Sequence, residues 1–204
     1  MRSLAICLAA CTAVTLAACG DDGTSTPTID AASVDATAGT PTCATYCSQI
    51  QANCLDGAMN RQYVDAASCM ASCAFMPVGA SPDTQGNTLG CRIYHSGVAA
   101  ANPTMHCPHA GPGGIAAAPE APVCGTGCAG FCQLAMGACT GANAAYASSA
   151  ACMTACAAFP TNVRYNTQVQ TGNTFACKLY HATVAATMPA THCNHIKATG
   201  GPCV

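Results

Sequence analysis

Sixteen of the nineteen cysteines in this 204-residue chain form two copies of one eight-cysteine pattern, and that duplication constrains the fold more than any other feature. The stretch Cys43 to Cys54 (CATYCSQIQANC) returns as Cys128 to Cys139 (CAGFCQLAMGAC) with the same cysteine spacing. Cys69-Met-Ala-Ser-Cys73 returns as Cys152-Met-Thr-Ala-Cys156, and GNTLGCRIYH, ending at His95, as GNTFACKLYH, ending at His181. Pro103-Thr-Met-His-Cys107-Pro-His109 matches Pro189-Ala-Thr-His-Cys193-Asn-His195, and a Gly/Pro-rich stretch closes each copy at Cys124 and Cys203. Self-similarity at a fixed period marks a duplicated supersecondary unit. The boundaries are 43–124 for the first module and 125–204 for the second. Eight cysteines per module imply four internal disulfides, for which 105 connectivities exist. Assigning Cys124 to the second copy instead would give seven and nine cysteines and require a bond between modules.

The rest of the composition explains why such crosslinks are needed. About a fifth of the residues are Ala, aromatics are 5%, and there is no Trp. Burial stabilises by roughly 25 cal/mol per Å² of apolar surface, so small side chains offset little of the conformational entropy lost on folding. A disulfide typically contributes about 2–4 kcal/mol, largely by restricting the unfolded chain. Bonds of this kind form outside the reducing cytosol.

Strand signals are weak, with few β-branched runs and no clear period-two alternation. At 100° per residue, Cys43, Cys47 and Cys54 fall within about 40° on one helical face, and Cys69 and Cys73 share a face of a second helix. Two antiparallel helices can then be bridged twice, by Cys43–Cys73 and Cys47–Cys69. The arrangement resembles the twin C-x₃-C helical hairpins, with a longer segment between the pairs. A third helix, about Thr88 to Ala101, places Cys91, Tyr94, His95 and Val98 on one stripe. Cys54–Cys91 and Cys107–Cys124 would complete the first module. The second would carry Cys128–Cys156, Cys132–Cys152, Cys139–Cys177 and Cys193–Cys203. The expected fold class is mostly α, small and disulfide-rich: two tandem homologous modules, each of about three short helices plus a loop-rich C-terminal part.

The N-terminus reads as a targeting segment. Met1-Arg2 is a short positive start, and the apolar run Leu4 to Ala18 suits a signal peptide and is short for a membrane span of roughly 20 residues. It ends in Leu16-Ala17-Ala18-Cys19, which resembles the lipobox of bacterial lipoproteins. That resemblance implies removal of residues 1–18, with Cys7 and Cys11, and a diacylglyceryl thioether on Cys19. Usually the new amine is acylated as well. Two or three acyl chains anchor a protein stably where one does not. Gly20 after the cysteine leans, by resemblance to enterobacterial sorting, towards the outer membrane. Residues 19–42 then form the lipidated cysteine and a small, polar, acidic stretch that reads as a disordered tether. The repeat itself, with its YH and HC-x-H landmarks, resembles one found in cysteine-rich lipoproteins of GC-rich bacteria, a likeness that implies no activity.

Function must be sought in the remaining polar residues. From Cys43 onward there are four acids and five bases, so no basic patch points to nucleic acid. Residues 125–204 contain no Asp or Glu, which excludes paired-carboxylate hydrolysis and carboxylate calcium loops from the second module. Asp56 and Asp65 of the first module align with Gly141 and Ser148, so no shared function rests on them. C-x-x-C, C-x-x-C-H, H-E-x-x-H, G-x-S-x-G and phosphate-loop motifs are all absent. No enzyme activity is expected.

All six histidines, by contrast, sit at matched positions: His95, His106 and His109, and His181, His192 and His195. Three imidazoles per module can bind Zn²⁺ or Cu²⁺ with a water in an open position. Alternatively they satisfy backbone carbonyls in tight turns, as neutral donors in a small loop-rich protein do. Two functions are therefore expected in competition. The first is a non-catalytic binding or structural envelope lipoprotein, held to the membrane by its lipid and contacting an envelope protein or a glycan. The second is a transition-metal module built on the matched histidines, distinguishable by whether the three imidazoles of each copy converge.

Overall fold

Seven of the eight α-helices among the described residues start where a short oxygen-bearing side chain precedes them. The structure, a computed structural model, describes residues 39–55, 60–115 and 121–204. The signal segment 1–18, Cys19 and most of the tether lie outside the described residues, as do Asp56 and Glu120. α1 (Cys43–Asn53) is capped by Thr42, α2 (Ala66–Cys73) by Asp65, α3 (Leu89–Val98) by Thr88 and α4 (Pro103–Ala110) by Asn102. In the second module Thr126 caps α5 (Gly127–Ala138), Ser148 caps α6 (Ser149–Ala157) and Thr174 caps α7 (Phe175–Ala185). In each case the side-chain oxygen accepts a hydrogen bond from the amide three residues on, which would otherwise lack a partner. Asp65 and Ser148 thus do the same work. The acid of the first copy is a helix cap, and serine fills the same position in the second.

The described residues contain eight α-helices, a single 3-10 turn at Gly141–Asn143 and no strand. The described part of the chain is all-helical and disulfide-rich. The C-terminal part expected to be loop contains a fourth helix in each copy, α4 and the one-turn α8 (Pro189–His192). Pro103 and Pro189 open these helices, where a fixed φ is helical already and no amide is missed.

Eight disulfides join the helices, with Cα separations of 5.5–5.8 Å, inside the range relaxed bridges occupy. Cys43–Cys73 and Cys47–Cys69 staple α1 to α2, and Cys128–Cys156 and Cys132–Cys152 staple α5 to α6, the pairings drawn from the shared helix faces. The other four pairings are corrected. Instead of Cys54–Cys91 and Cys107–Cys124, the bonds are Cys54–Cys107 and Cys91–Cys124. Instead of Cys139–Cys177 and Cys193–Cys203, they are Cys139–Cys193 and Cys177–Cys203. The reason is the register of α1 on α3. Asn53 Nδ2 donates to the Ser96 carbonyl at 2.8 Å, and Ser96 Oγ to Gln49 Oε1 at 2.8 Å. Ser96 lies five residues beyond Cys91, about 7–8 Å along a helix. The end of α1 is therefore out of reach of Cys91, while α4, doubling back along α3, brings Cys107 to it.

The first core gathers Tyr46, Ile50, Tyr63, Met76 and Leu89 around the cystines; the second gathers Phe131, Leu134, Phe159, Phe175, Leu179 and Ile196. The two modules dock, with Val64 and Phe75 of the first packing against the second core. Polar contacts seal the joint. Tyr165 Oη donates to the Gln62 carbonyl at 2.8 Å, and the Thr167 amide to the Arg61 carbonyl at 3.1 Å. Arg164 Nη2 reaches Asn60 Oδ1 at 2.9 Å and the Thr104 carbonyl at 2.7 Å. No helix among the described residues is long and apolar enough to cross a membrane.

Candidate metal centre

α3 and α4 form a hairpin, and the histidines of the first module line its inner side. His95 stands in the second turn of α3; His106 and His109, three apart on α4, share the face turned towards it. The second module repeats this with His181 on α7, His192 at the end of α8, and His195 just beyond. His95, His109 and His181 are buried, while His106, His192 and His195 are partly exposed. The expected site residues thus come together in both copies. One nitrogen from each of His95, His106 and His109 lies within 4.8 Å of the others, and the same holds for His181, His192 and His195.

The shortest separations are tighter. His95 Nδ1 is 3.1 Å from His106 Nδ1; His181 Nδ1 is 2.8 Å from His192 Nδ1 and 3.2 Å from His195 Nδ1. In both modules the other ring nitrogen faces a carbonyl: His95 Nε2 that of Thr84 at 3.2 Å, His181 Nε2 that of Gln170 at 3.1 Å. A carbonyl oxygen only accepts, so Nε2 carries the proton. Nδ1 of the neutral ring is then a bare lone pair aimed at the other imidazoles. A metal-ligating histidine is typically oriented by such a bond from its second nitrogen to a carboxylate or backbone carbonyl. Thr84 and Gln170 supply through the main chain what no matched carboxylate supplies. For His95 and His181 the competing reading describes only half of the ring: one nitrogen satisfies the backbone and the other faces its partners.

Burial and mutual repulsion favour the neutral form of His95, His181 and His192. Burial lowers the pKa of His95 most, opposed by the Thr84 carbonyl, with His109 and His106 adding to the lowering. His181 is pushed down to about 4, by burial first, against the Gln170 carbonyl, with His195, His192 and Lys178 adding. Burial, then His195, lowers His192. Neutral imidazole is the form that binds a metal. The nitrogens also suit one. Tetrahedral bonds of about 2.0–2.1 Å place zinc-bound nitrogens about 3.3–3.4 Å apart, slightly wider than the Nδ1 separations of 2.8–3.2 Å here.

Sulfur atoms stand near both sets, Cys91 and Cys124 by His95, and Cys177 and Cys203 by His181. They are paired as disulfides and offer no thiolate. The donor set is three imidazoles, and among the described residues no carboxylate joins either set.

A matched pair of buried cations was not singled out from the sequence. Arg92 Nε donates to the Gly111 carbonyl at 3.2 Å and Nη2 to the Pro112 carbonyl at 3.3 Å, fixing the chain just after His109. Lys178 Nζ donates to the His195 carbonyl at 3.3 Å and also to that of Lys197, fixing the chain around the third histidine. The signal was present in CRIYH and CKLYH, where a cation precedes the histidine by three residues in both copies. Gly201 closes the second site from behind. At a φ of +61°, a Cβ there would lie 2.3 Å from His195 Cδ2.

These features define a class: a duplicated, disulfide-stapled helical module with three converging imidazoles in each copy. The model of the BfoA family C-terminal domain matches residues 10–120 and again residues 126–204. The chain belongs to that family, and the two matches follow the internal repeat. No curated protein and no solved structure matches it.

Proposed function

We propose that this chain is an exported, lipid-anchored envelope protein that binds a transition-metal ion, Zn²⁺ or Cu²⁺, in each of its two modules without catalysing a reaction. One observation carries the metal reading. In both copies a histidine Nδ1 faces its partner eleven residues on at 2.8–3.1 Å, while its Nε2 is tied to a carbonyl eleven residues back. Side chains that merely filled turns would not need to keep this arrangement through duplication. The eight disulfides support residence in an oxidising extracytoplasmic compartment. The lipobox resemblance at Leu16–Cys19 supports attachment through Cys19, with the outer membrane favoured. An envelope protein or a glycan is the expected partner. The lack of a matched carboxylate or nucleophile supports a binding role over catalysis.

The test is metal analysis of full-length protein purified without chelator or affinity tag, followed by titration. Two equivalents of zinc or copper per chain are expected, falling to one in His95→Ala or His181→Ala. Protein that is metal-free, folds unchanged and shows no affinity on titration would refute the metal reading. Mass spectrometry of the mature N-terminus, with Cys19→Ser as control, tests the anchor separately.

A further inference from the structure

We infer that the metal-loaded site of the second module is a receptor for an anionic oxygen ligand, a carboxylate or phosphate, which takes the metal's remaining coordination position; this rests on the metal reading above. The argument is one of charge. Imidazole carries no charge when it ligates a metal, so a divalent ion bound by His181, His192 and His195 keeps its full charge. Residues 125–204 contain no Asp or Glu to offset it. Lys178 adds a further cation beside the set, and its ammonium is anchored to backbone carbonyls, one of them that of His195 itself.

No acidic side chain of the module neutralises this accumulation of positive charge. A charge held away from bulk water is costly unless it is paired. Access is provided, because His192 and His195 are partly exposed while His181 is buried behind them. Three protein ligands also leave a tetrahedral ion one exchangeable position. An arriving anion displaces water from that position and supplies the missing negative charge. Metal and anion therefore bind cooperatively, each tightening the other by the same factor.

The experiment uses the full chain carrying His95→Ala and His106→Ala, so that only the second site remains, loaded with Co²⁺ as a spectroscopic stand-in for zinc. Titration with acetate, and separately with inorganic phosphate, should shift the visible Co²⁺ bands saturably at one anion per chain. Saturating anion should tighten Co²⁺ binding by tenfold or more. The stronger of the two responses identifies the source as carboxylate or phosphate chemistry. Lys178→Gln should weaken the anion response, and His181→Ala should abolish it. Bands that form normally and ignore both anions would overturn this inference and leave the metal reading standing. Failure of Co²⁺ and Zn²⁺ to bind at all would overturn both. Anion binding that persists without metal would show an adventitious contact and overturn the inference alone.

Discussion

Replacing Cys54 and Cys107 together with alanine removes a bond that spans 53 residues, whereas replacing Cys47 and Cys69 removes one that spans 22. The two losses should differ by more than those spans suggest. Cys47–Cys69 is nested inside Cys43–Cys73, four residues in from it on each helix. With the outer bond intact, the loop that the inner one closes is fewer than ten residues, equivalent to about 2.5 kcal/mol of unfolded-chain entropy. Cys54–Cys107 has no such neighbour. Even the shortcut through the α1–α2 staples leaves a loop of more than forty residues, equivalent to about 4 kcal/mol. Both double variants lose two buried sulfur atoms, so the packing loss cancels and a difference of about 1.5 kcal/mol remains. Guanidinium unfolding of the oxidised proteins, with peptide mapping to confirm the remaining bonds, measures it. Equal losses, or a larger one for the inner staple, would refute the loop argument and the connectivity beneath it.

Three further outcomes are expected. Asp65→Ser should leave stability within about 0.5 kcal/mol of the parent, since Ser148 already fills this role, whereas Asp65→Ala should cost about 1 kcal/mol; thermal melts separate them. Gly201→Ala should displace the His195 ring and lower the metal content from two equivalents to one, with the first site intact, as metal analysis would show. Burial raises the pKa of Tyr46, Tyr63 and Tyr165 above its ordinary value. The stability gained by keeping them neutral is full below about pH 10, where unfolded tyrosine titrates, and is lost as pH rises towards the folded values. Denaturant midpoints should therefore hold up to pH 9 and fall above 10.

Much of this architecture is local, and local features are what a sequence displays. The C-x₃-C pairs put two sulfur atoms on one helix face, so Cys43–Cys73 and Cys47–Cys69 followed from periodicity together with an antiparallel hairpin. The cap residues Thr42, Thr88 and Thr174 sit one step before their helices. The six histidines stood out because both copies kept them, and the structure brings each trio together. The backbone acceptors Thr84 and Gln170 could not be read in advance, because any residue type provides a carbonyl and only the loop's path decides which one arrives. Arg92 and Lys178 were visible as a matched pair, but an exposed cation and a buried one look alike in a sequence.

Sequence alone determined that the chain is duplicated, helical and crosslinked within each copy, because repeat spacing, helix faces and cysteine parity are properties of residue order. Tertiary structure decided the remaining pairings, the docking of the modules and the convergence of the imidazoles. Each depends on how far one helix slides along another. The Asn53–Ser96 and Ser96–Gln49 hydrogen bonds mark that register, five residues along α3 from Cys91.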